Sequence, residues 1–262
     1  MKRLSFDPDG VIVVTGASSG MGKEFAQRLT SLYPCRQAWL IARNGDKLRE
    51  TADLLKIPSR VIPLDLSEPE SMKTLSDLLE KEKPKINILV NAAGYGKFGA
   101  FSDIPLEEQL GMVSLNCQAL IVSCRIFSDY MPRGSRIINL GSLSSFQPVP
   151  YINVYGASKA LVLSFSRALN KEWKKSRGIG VLAVCPGWVK TDFFKRAVSD
   201  DTISYYNRFY TPSQVADRLV RDLEKDKDVS VCGFPVRAQV LLTKLLPHRL
   251  VMWIWCRQQK KN

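Results

Sequence analysis

The chain has 262 residues, of which 45% are hydrophobic and 24% charged, enough for one sizeable α/β core and ordinary enough to exclude a disordered or fibrous protein. A single histidine, His248, excludes a Ser-His-Asp hydrolase, a Cys-His protease and a multi-histidine metal site, so no metal is expected. The formal net charge of +13 favours anionic ligands, but Lys and Arg form no aromatic-interleaved stripe, and no nucleic-acid partner is expected.

In chain order, the β-branched run 11–15 predicts a strand, and the spacing of Phe25, Ala26, Leu29 and Leu32 predicts a helix over 23–32. Strands are then predicted at 37–42, 60–64, 86–90, 136–140, 180–185 and 229–231, with helices at 46–55, 68–79, 106–130, 154–175 and 214–223. A glycine-rich loop covers 94–99. The alternation implies parallel strands joined by helical crossovers, and the near-continuous apolar strands imply that both sheet faces are covered. The fold class is α/β, a single doubly wound Rossmann-type parallel sheet with helices on both faces, within residues 1–235.

Over 188–212 the periodicity fails while Phe193, Phe194, Tyr205, Tyr206, Phe209 and Tyr210 crowd together. This stretch reads as a substrate lid or as a connector whose aromatics cover the core. The apolar and basic tail 236–262 is interrupted by Lys244, Pro247, His248 and Arg249, short of the roughly 18 uncharged apolar residues of a transmembrane helix. Two readings stay open for it. One is a helix capping the domain or a partner subunit; the other is an amphipathic segment on a membrane, with Trp253 and Trp255 at the interface and Arg257, Lys260 and Lys261 near anionic headgroups. Six dispersed cysteines without C-x-x-C spacing, and an N-terminus without a signal-peptide pattern, predict a cytoplasmic protein.

Three motifs carry chemistry. Thr15-Gly16-Ala17-Ser18-Ser19-Gly20-Met21-Gly22 joins the first strand to the first helix, where glycines let backbone approach a pyrophosphate at a helix N-terminus. After the second strand stands Arg43, where an acid would bind a free ribose 2′-hydroxyl; a guanidinium there suits a 2′-phosphate and favours NADP, unless it is simply a solvated loop arginine. Tyr155 and Lys159 lie four apart on one helix face, and an ammonium about 4 Å from a phenol is worth about 4 kcal/mol at an effective dielectric of about 20, roughly three pKa units. That coupling predicts a phenol titrating near neutrality, able to exchange a proton with a carbonyl or alcohol. Ser142, after the strand at 136–140, is placed to hold the substrate oxygen.

Taken together, Thr15-Gly16-x-x-x-Gly20-x-Gly22, Asn91-Ala92-Ala93-Gly94, Asn116, Ser142, Tyr155-x-x-x-Lys159 and Pro186-Gly187 through Thr191 resemble the short-chain dehydrogenase/reductase family from Val11 to about Val231. The resemblance implies Tyr155 as general acid/base, Lys159 as binder of the nicotinamide ribose, Ser142 as stabiliser of the substrate oxygen, and Asn116 as support for a water-linked proton relay. It also implies Asp65, with Leu66 beside it, at the adenine, Asn91, Ala92, Ala93 and Gly94 along the adenosine half, and Val189 and Thr191 at the carboxamide. Gly141 departs from a serine common there. The expected activity is an NADP(H)-dependent interconversion of a secondary alcohol and a ketone, on a steroid-, bile-acid- or acyl-like substrate, by a homodimer or homotetramer. The alternative is a non-catalytic NADP(H)-binding redox sensor or scaffold.

Overall fold

In the computed structural model, which describes residues 4–198 and 202–261, Val11–Thr15 forms β1 with all five residues buried. There follow α1 (Gly20–Leu32), β2 (Gln37–Ala42), α2 (Gly45–Ala52), β3 (Ser59–Pro63), α3 (Pro69–Glu82), β4 (Ile86–Asn91), α4 (Leu106–Val113), α5 (Ala119–Ser128) and β5 (Arg136–Leu140). The second half adds α6 (Asn153–Ser176), β6 (Gly180–Val184), β7 (Trp188–Val189), α7 (Phe193–Ala197), β8 (Phe209–Tyr210), α8 (Pro212–Glu224), β9 (Val229–Ser230), α9 (Phe234–Leu245) and α10 (His248–Gln258). The N-terminal residues 1–3, positions 199–201 of the predicted lid, and residue 262 of the tail lie outside the described residues.

Seven parallel strands form one sheet in the order β3-β2-β1-β4-β5-β6-β9. Strand alternation builds two cores. Ile12 and Val14 meet Phe25 and Leu29 of α1, Leu48 of α2 and Leu219 of α8 on one face. Val11 and Val13 join Leu75 and Leu79 of α3, Phe127 of α5 and Val162 of α6 in the core of the other. This is the doubly wound Rossmann-type sheet that the alternation implied. The strand order reverses beside β1, between β2 and β4, which opens a crevice at the carboxyl ends of the strands. There Thr15 pairs with Asn91 and Asn91 with Asn139, so these strand ends stand level.

Three expectations need correction. The single helix expected over 106–130 is α4 and α5 separated by a π-helical turn, Ser114–Gln118, because the Asn116 side chain bonds sideways to Tyr95 and Ser158. The run Leu106–Ser128 has the length and mean hydropathy, 1.5, of a membrane span, yet its inner side packs on the sheet through Leu120, Cys124 and Phe127.

The stretch 188–212 is not irregular throughout: β7 and β8 pair in parallel with α7 between them. Strands of two residues are too short to show a period. Ring contacts hold them instead, with Trp188 4.9 Å from Tyr206 and Phe194 5.4 Å from Phe209 between centroids. The segment 236–262, read as one tail, folds as two helices parted at Pro247. Trp255 Nε1 donates to the Pro150 carbonyl at 3.0 Å. The buried Gln259 side chain accepts from the Ser204 and Tyr205 amides at 2.9 and 3.0 Å and donates to the Tyr205 carbonyl at 3.1 Å.

Gln259→Leu leaves these backbone groups unpaired, at about 1–3 kcal/mol for a buried group so stranded. A lower denaturation midpoint and faster protease cleavage within 202–210 are expected; an unchanged midpoint and cleavage pattern would show that Gln259 holds nothing.

Candidate active site

A cleft of about 490 Å³ runs over the carboxyl ends of the central strands. At one end Gly16 takes φ +67°, and a Cβ there would stand 2.7 Å from the Ala93 amide nitrogen. A Cβ on Gly22 would collide with the Gly16 carbonyl. These glycines let the turn fold back on itself. Ser19, at the N-cap of α1, makes no side-chain bond to the first turn, whereas Asn44 caps α2 and Thr211 caps α8. The opening amides of α1 therefore point at the cleft without a side-chain acceptor, and the chemistry of this cradle fits a pyrophosphate.

Ser18, Ser19, Gly20, Met21 and Gly22 line this end with Arg43, Asp65, Leu66, Ala92, Ala93 and Gly94. Arg43 Nη1 lies 3.6 Å from Asp65 Oδ2. Burial pushes the Asp65 carboxyl up, but hydrogen bonds from the Ser67 hydroxyl and amide and the Arg43 charge outweigh it and leave it below the ordinary value. Sequence reasoning missed Lys47, which lines the cleft from the first turn of α2 beside Arg43 and Asn44. A lysine four residues after the arginine, on the helix that starts there, was the available signal.

Three predicted residues stand behind the wall. Thr15 Oγ1 accepts from the Ala92 and Ala93 amides at 3.1 and 3.2 Å, setting the loop after β4. Asn91 donates to Asn139 Oδ1 at 2.9 Å and accepts from the Ser123 hydroxyl at 2.8 Å, while Asn139 donates to the Ser166 hydroxyl at 2.9 Å. Asn116 takes the Tyr95 amide at 3.0 Å and gives to the Tyr95 carbonyl at 2.9 Å and the Ser158 hydroxyl at 3.0 Å. Its side chain is thus committed to holding the 94–99 loop. Gly94 must be bare, since a Cβ would meet Asn116 Oδ1 at 2.7 Å and Lys159 Nζ at 3.4 Å.

At the deep end Ser142, Tyr155, Lys159, Pro186, Gly187, Val189 and Thr191 share the same cleft. Ser142 caps a 3₁₀ turn, Leu143–Phe146, with its hydroxyl accepting from the Ser144 amide at 3.2 Å. Tyr155 sits between Phe98 and Phe193, with centroids 5.8 and 5.5 Å away, and a Cβ on Gly96 would press on both Tyr155 and Phe193. The titration expectation is corrected here. Burial pushes the Tyr155 phenol up to about 12, with Ser142 pulling it back in part. Lys159 does not bring it near neutrality: its Nζ lies 5.7 Å from the phenol ring centroid and donates to the Leu140 carbonyl at 2.7 Å. Burial also lowers Lys159 to about 8. The pair therefore offers a protonated phenol above a lysine that charges below that pH.

A side pocket of about 70 Å³ shares Phe98, Ser142, Tyr155, Gly187 and Trp188 with the cleft. Tyr205 and Asn207 wall it from the lid, and Gln239, Trp255 and Gln258 from α9 and α10. None of its lining residues is charged. The Ser144 hydroxyl, also in the lining, is buried without a hydrogen-bond partner. The remaining aromatics of 193–210 pack on one another more than on this pocket.

A family model described as short chain dehydrogenase matches residues 10–202. The chain is 27% identical over 266 residues to the probable oxidoreductase EphD of Mycobacterium tuberculosis strain H37Rv, covering 92% of this chain but 44% of that protein. It therefore spans less than half the length of that relative. Among solved structures, a short-chain dehydrogenase from Sphingobium yanoikuyae in complex with NADPH is 27% identical with a TM-score of 0.76, covering 90% of this chain and 93% of that one. A short-chain dehydrogenase/reductase from Burkholderia phymatum in complex with NAD shares the fold at 20% identity and a TM-score of 0.78, covering 100% and 98%.

Gly141 has a local reason: a Cβ there would approach Cys185 Sγ at 2.8 Å. Gly141→Ser should destabilise by about 1–3 kcal/mol through overpacking, and adding Cys185→Ala should recover most of the loss in urea unfolding. Additive losses in the double variant would show that the two positions are independent.

Proposed function

Because this chain belongs to the short-chain dehydrogenase/reductase family, we propose that it is an NADP(H)-dependent oxidoreductase that interconverts a secondary alcohol and a ketone on an apolar substrate. One observation carries the reading: Ser142, Tyr155 and Lys159 meet at the deep end of a cleft whose other end is a glycine turn with helix amides free of side-chain caps. When bound along that cleft, the nicotinamide supplies or accepts hydride. In reduction the Tyr155 phenol gives its proton to the carbonyl oxygen while the Ser142 hydroxyl donates to the same oxygen. Lys159, anchored on Leu140, sets positive charge beneath the site as negative charge develops there. A phenol that holds its proton to about 12 is protonated at neutral pH and so carries the proton that reduction requires.

Arg43 and Lys47 support NADP over NAD, since both line the same end of the cleft and would supply two cations to a ribose 2′-phosphate. The uncharged, aromatic side pocket supports a steroid-, bile-acid- or acyl-like ketone, with Ser144 left to meet a polar atom of the substrate. At about 70 Å³ the pocket holds only part of such a molecule. The apolar side chains Leu106, Leu110, Val113, Ile121, Val122 and Leu161, exposed on α4, α5 and α6, support a homo-oligomer through those helices. The cysteines, all free, support a cytoplasmic setting.

Tyr155→Phe should lower turnover at least about 10²-fold while NADPH binding, followed by fluorescence, stays within about twofold. Near-normal turnover in that variant would remove the proposed acid. A panel of sterols, long-chain ketones and sugars locates the substrate: turnover of sugars alone overturns the apolar reading, and tight NADPH binding with no carbonyl reduced favours the sensor or scaffold.

In Arg43→Ala/Lys47→Ala, the KM for NADPH should rise about tenfold or more with that for NADH little changed. Equal losses for both cofactors would refute the preference.

A further inference from the structure

Besides the α4–α5 face, a second exposed apolar surface occurs on α9 and α10. The inner side of α9 is anchored by Val236, Val240 and Thr243, while Phe234, Leu241 and Leu245 are exposed. Their spacing, with Ala238 completing an i, i+4, i+7, i+11 row, places them on the side opposite the anchors. The pattern repeats on α10. Val251 is buried and Trp255 bonds inward to Pro150, whereas Leu250, Trp253 and Ile254 are exposed at i, i+3 and i+4. Phe234 and Leu245 are 75% and 72% exposed, far more than packing on their own domain would leave.

Charge identifies the occupant. From Val229 to Asn262 the chain carries six basic residues, Arg237, Lys244, Arg249, Arg257, Lys260 and Lys261, and no Asp or Glu. Arg257 lies over the Trp253 ring at 5.0 Å, so a cation and an interfacial aromatic share one outward side. The α4–α5 face is different, with Glu107, Glu108 and Asp129 among its charges. A two-fold contact between copies through α9 and α10 would set like charges against like; an anionic lipid surface would neutralise them. The helices have 12 and 11 residues, long enough to lie on a bilayer and too short to cross it.

We propose that α9 and α10 form a docking surface for an anionic lipid bilayer, with the row Phe234, Leu241, Leu245, Leu250, Trp253 and Ile254 entering the headgroup boundary and the surrounding lysines and arginines contacting phosphates. The docking stands independently of the redox chemistry. Because Gln239, Trp255 and Gln258 wall the side pocket from the same helices, the docked surface also lies beside the route to Ser142 and Tyr155.

The full chain is sedimented with phosphatidylcholine–phosphatidylglycerol vesicles and with pure phosphatidylcholine vesicles, at low and high salt. Binding to the mixed vesicles, weakened by salt, is expected, together with a drop of about tenfold or more in Leu245→Ser/Trp253→Ser. Lys244→Glu/Arg249→Glu, a second variant at exposed positions, should lose binding with the apolar row intact. Unaltered melting curves and NADPH affinity check that both variants are folded. Absence of vesicle binding by the parent chain, equal binding by folded variants, or a lipid-independent dimer that Leu245→Ser/Trp253→Ser dissociates would each overturn the proposal.

Discussion

The cleft depends on a buried chain of carboxamides and hydroxyls beneath it. Ser123, Asn91, Asn139 and Ser166 pass hydrogen bonds from α5 through β4 and β5 to α6, and Thr15 fastens the loop after β4 to the end of β1. A polar network so satisfied in an apolar interior penalises any slip in strand register, because a slip would leave several groups unpaired at once. Level strand ends place the glycine turn, Ser142 and the start of α6 around one space. Asn116 extends the constraint sideways, since its bonds to Tyr95 position the loop whose bare glycines let Tyr155, Phe193 and Lys159 close in.

Local signals in the chain revealed much of this arrangement. The strands were legible because apolar residues predominate where both sheet faces are covered, and the turn because three glycines follow a strand at the start of a helix. What stayed hidden depends on contacts distant in sequence. The π turn follows from a bond between Asn116 and a loop residue upstream, and β7 and β8 exist only as a pair. Lys47 resembles any surface lysine until α2 packs beside β2. Spacing along a helix reveals neighbours but not burial, and burial raises the phenol here while Ser142, rather than Lys159, pulls it back.

The lid and the final helices form one body. Phe98, Trp188, Phe194, Tyr206 and Phe209 stack in a continuous cluster, and Trp255 and Gln259 tie it from the opposite side. The glycine turn that fits a phosphate-bearing cofactor lies in the first half of the chain, while the side pocket is walled by the lid and by two helices that follow the last strand of the sheet.

That separation gives biosynthesis a direction. Domains form from the N-terminus as a chain emerges, and the strands β1 to β6 with their carboxamide network can assemble before α9 and α10 exist. The pocket gains its outer wall only when Gln239, Trp255 and Gln258 arrive. A polypeptide still on the ribosome is therefore expected to form its glycine turn while the side pocket still lacks the wall that α9 and α10 supply. A truncation before α9 would strip Val236 and Val240 from the core and uncover the aromatics of the side pocket, a form that quality-control proteases and chaperones are suited to catch.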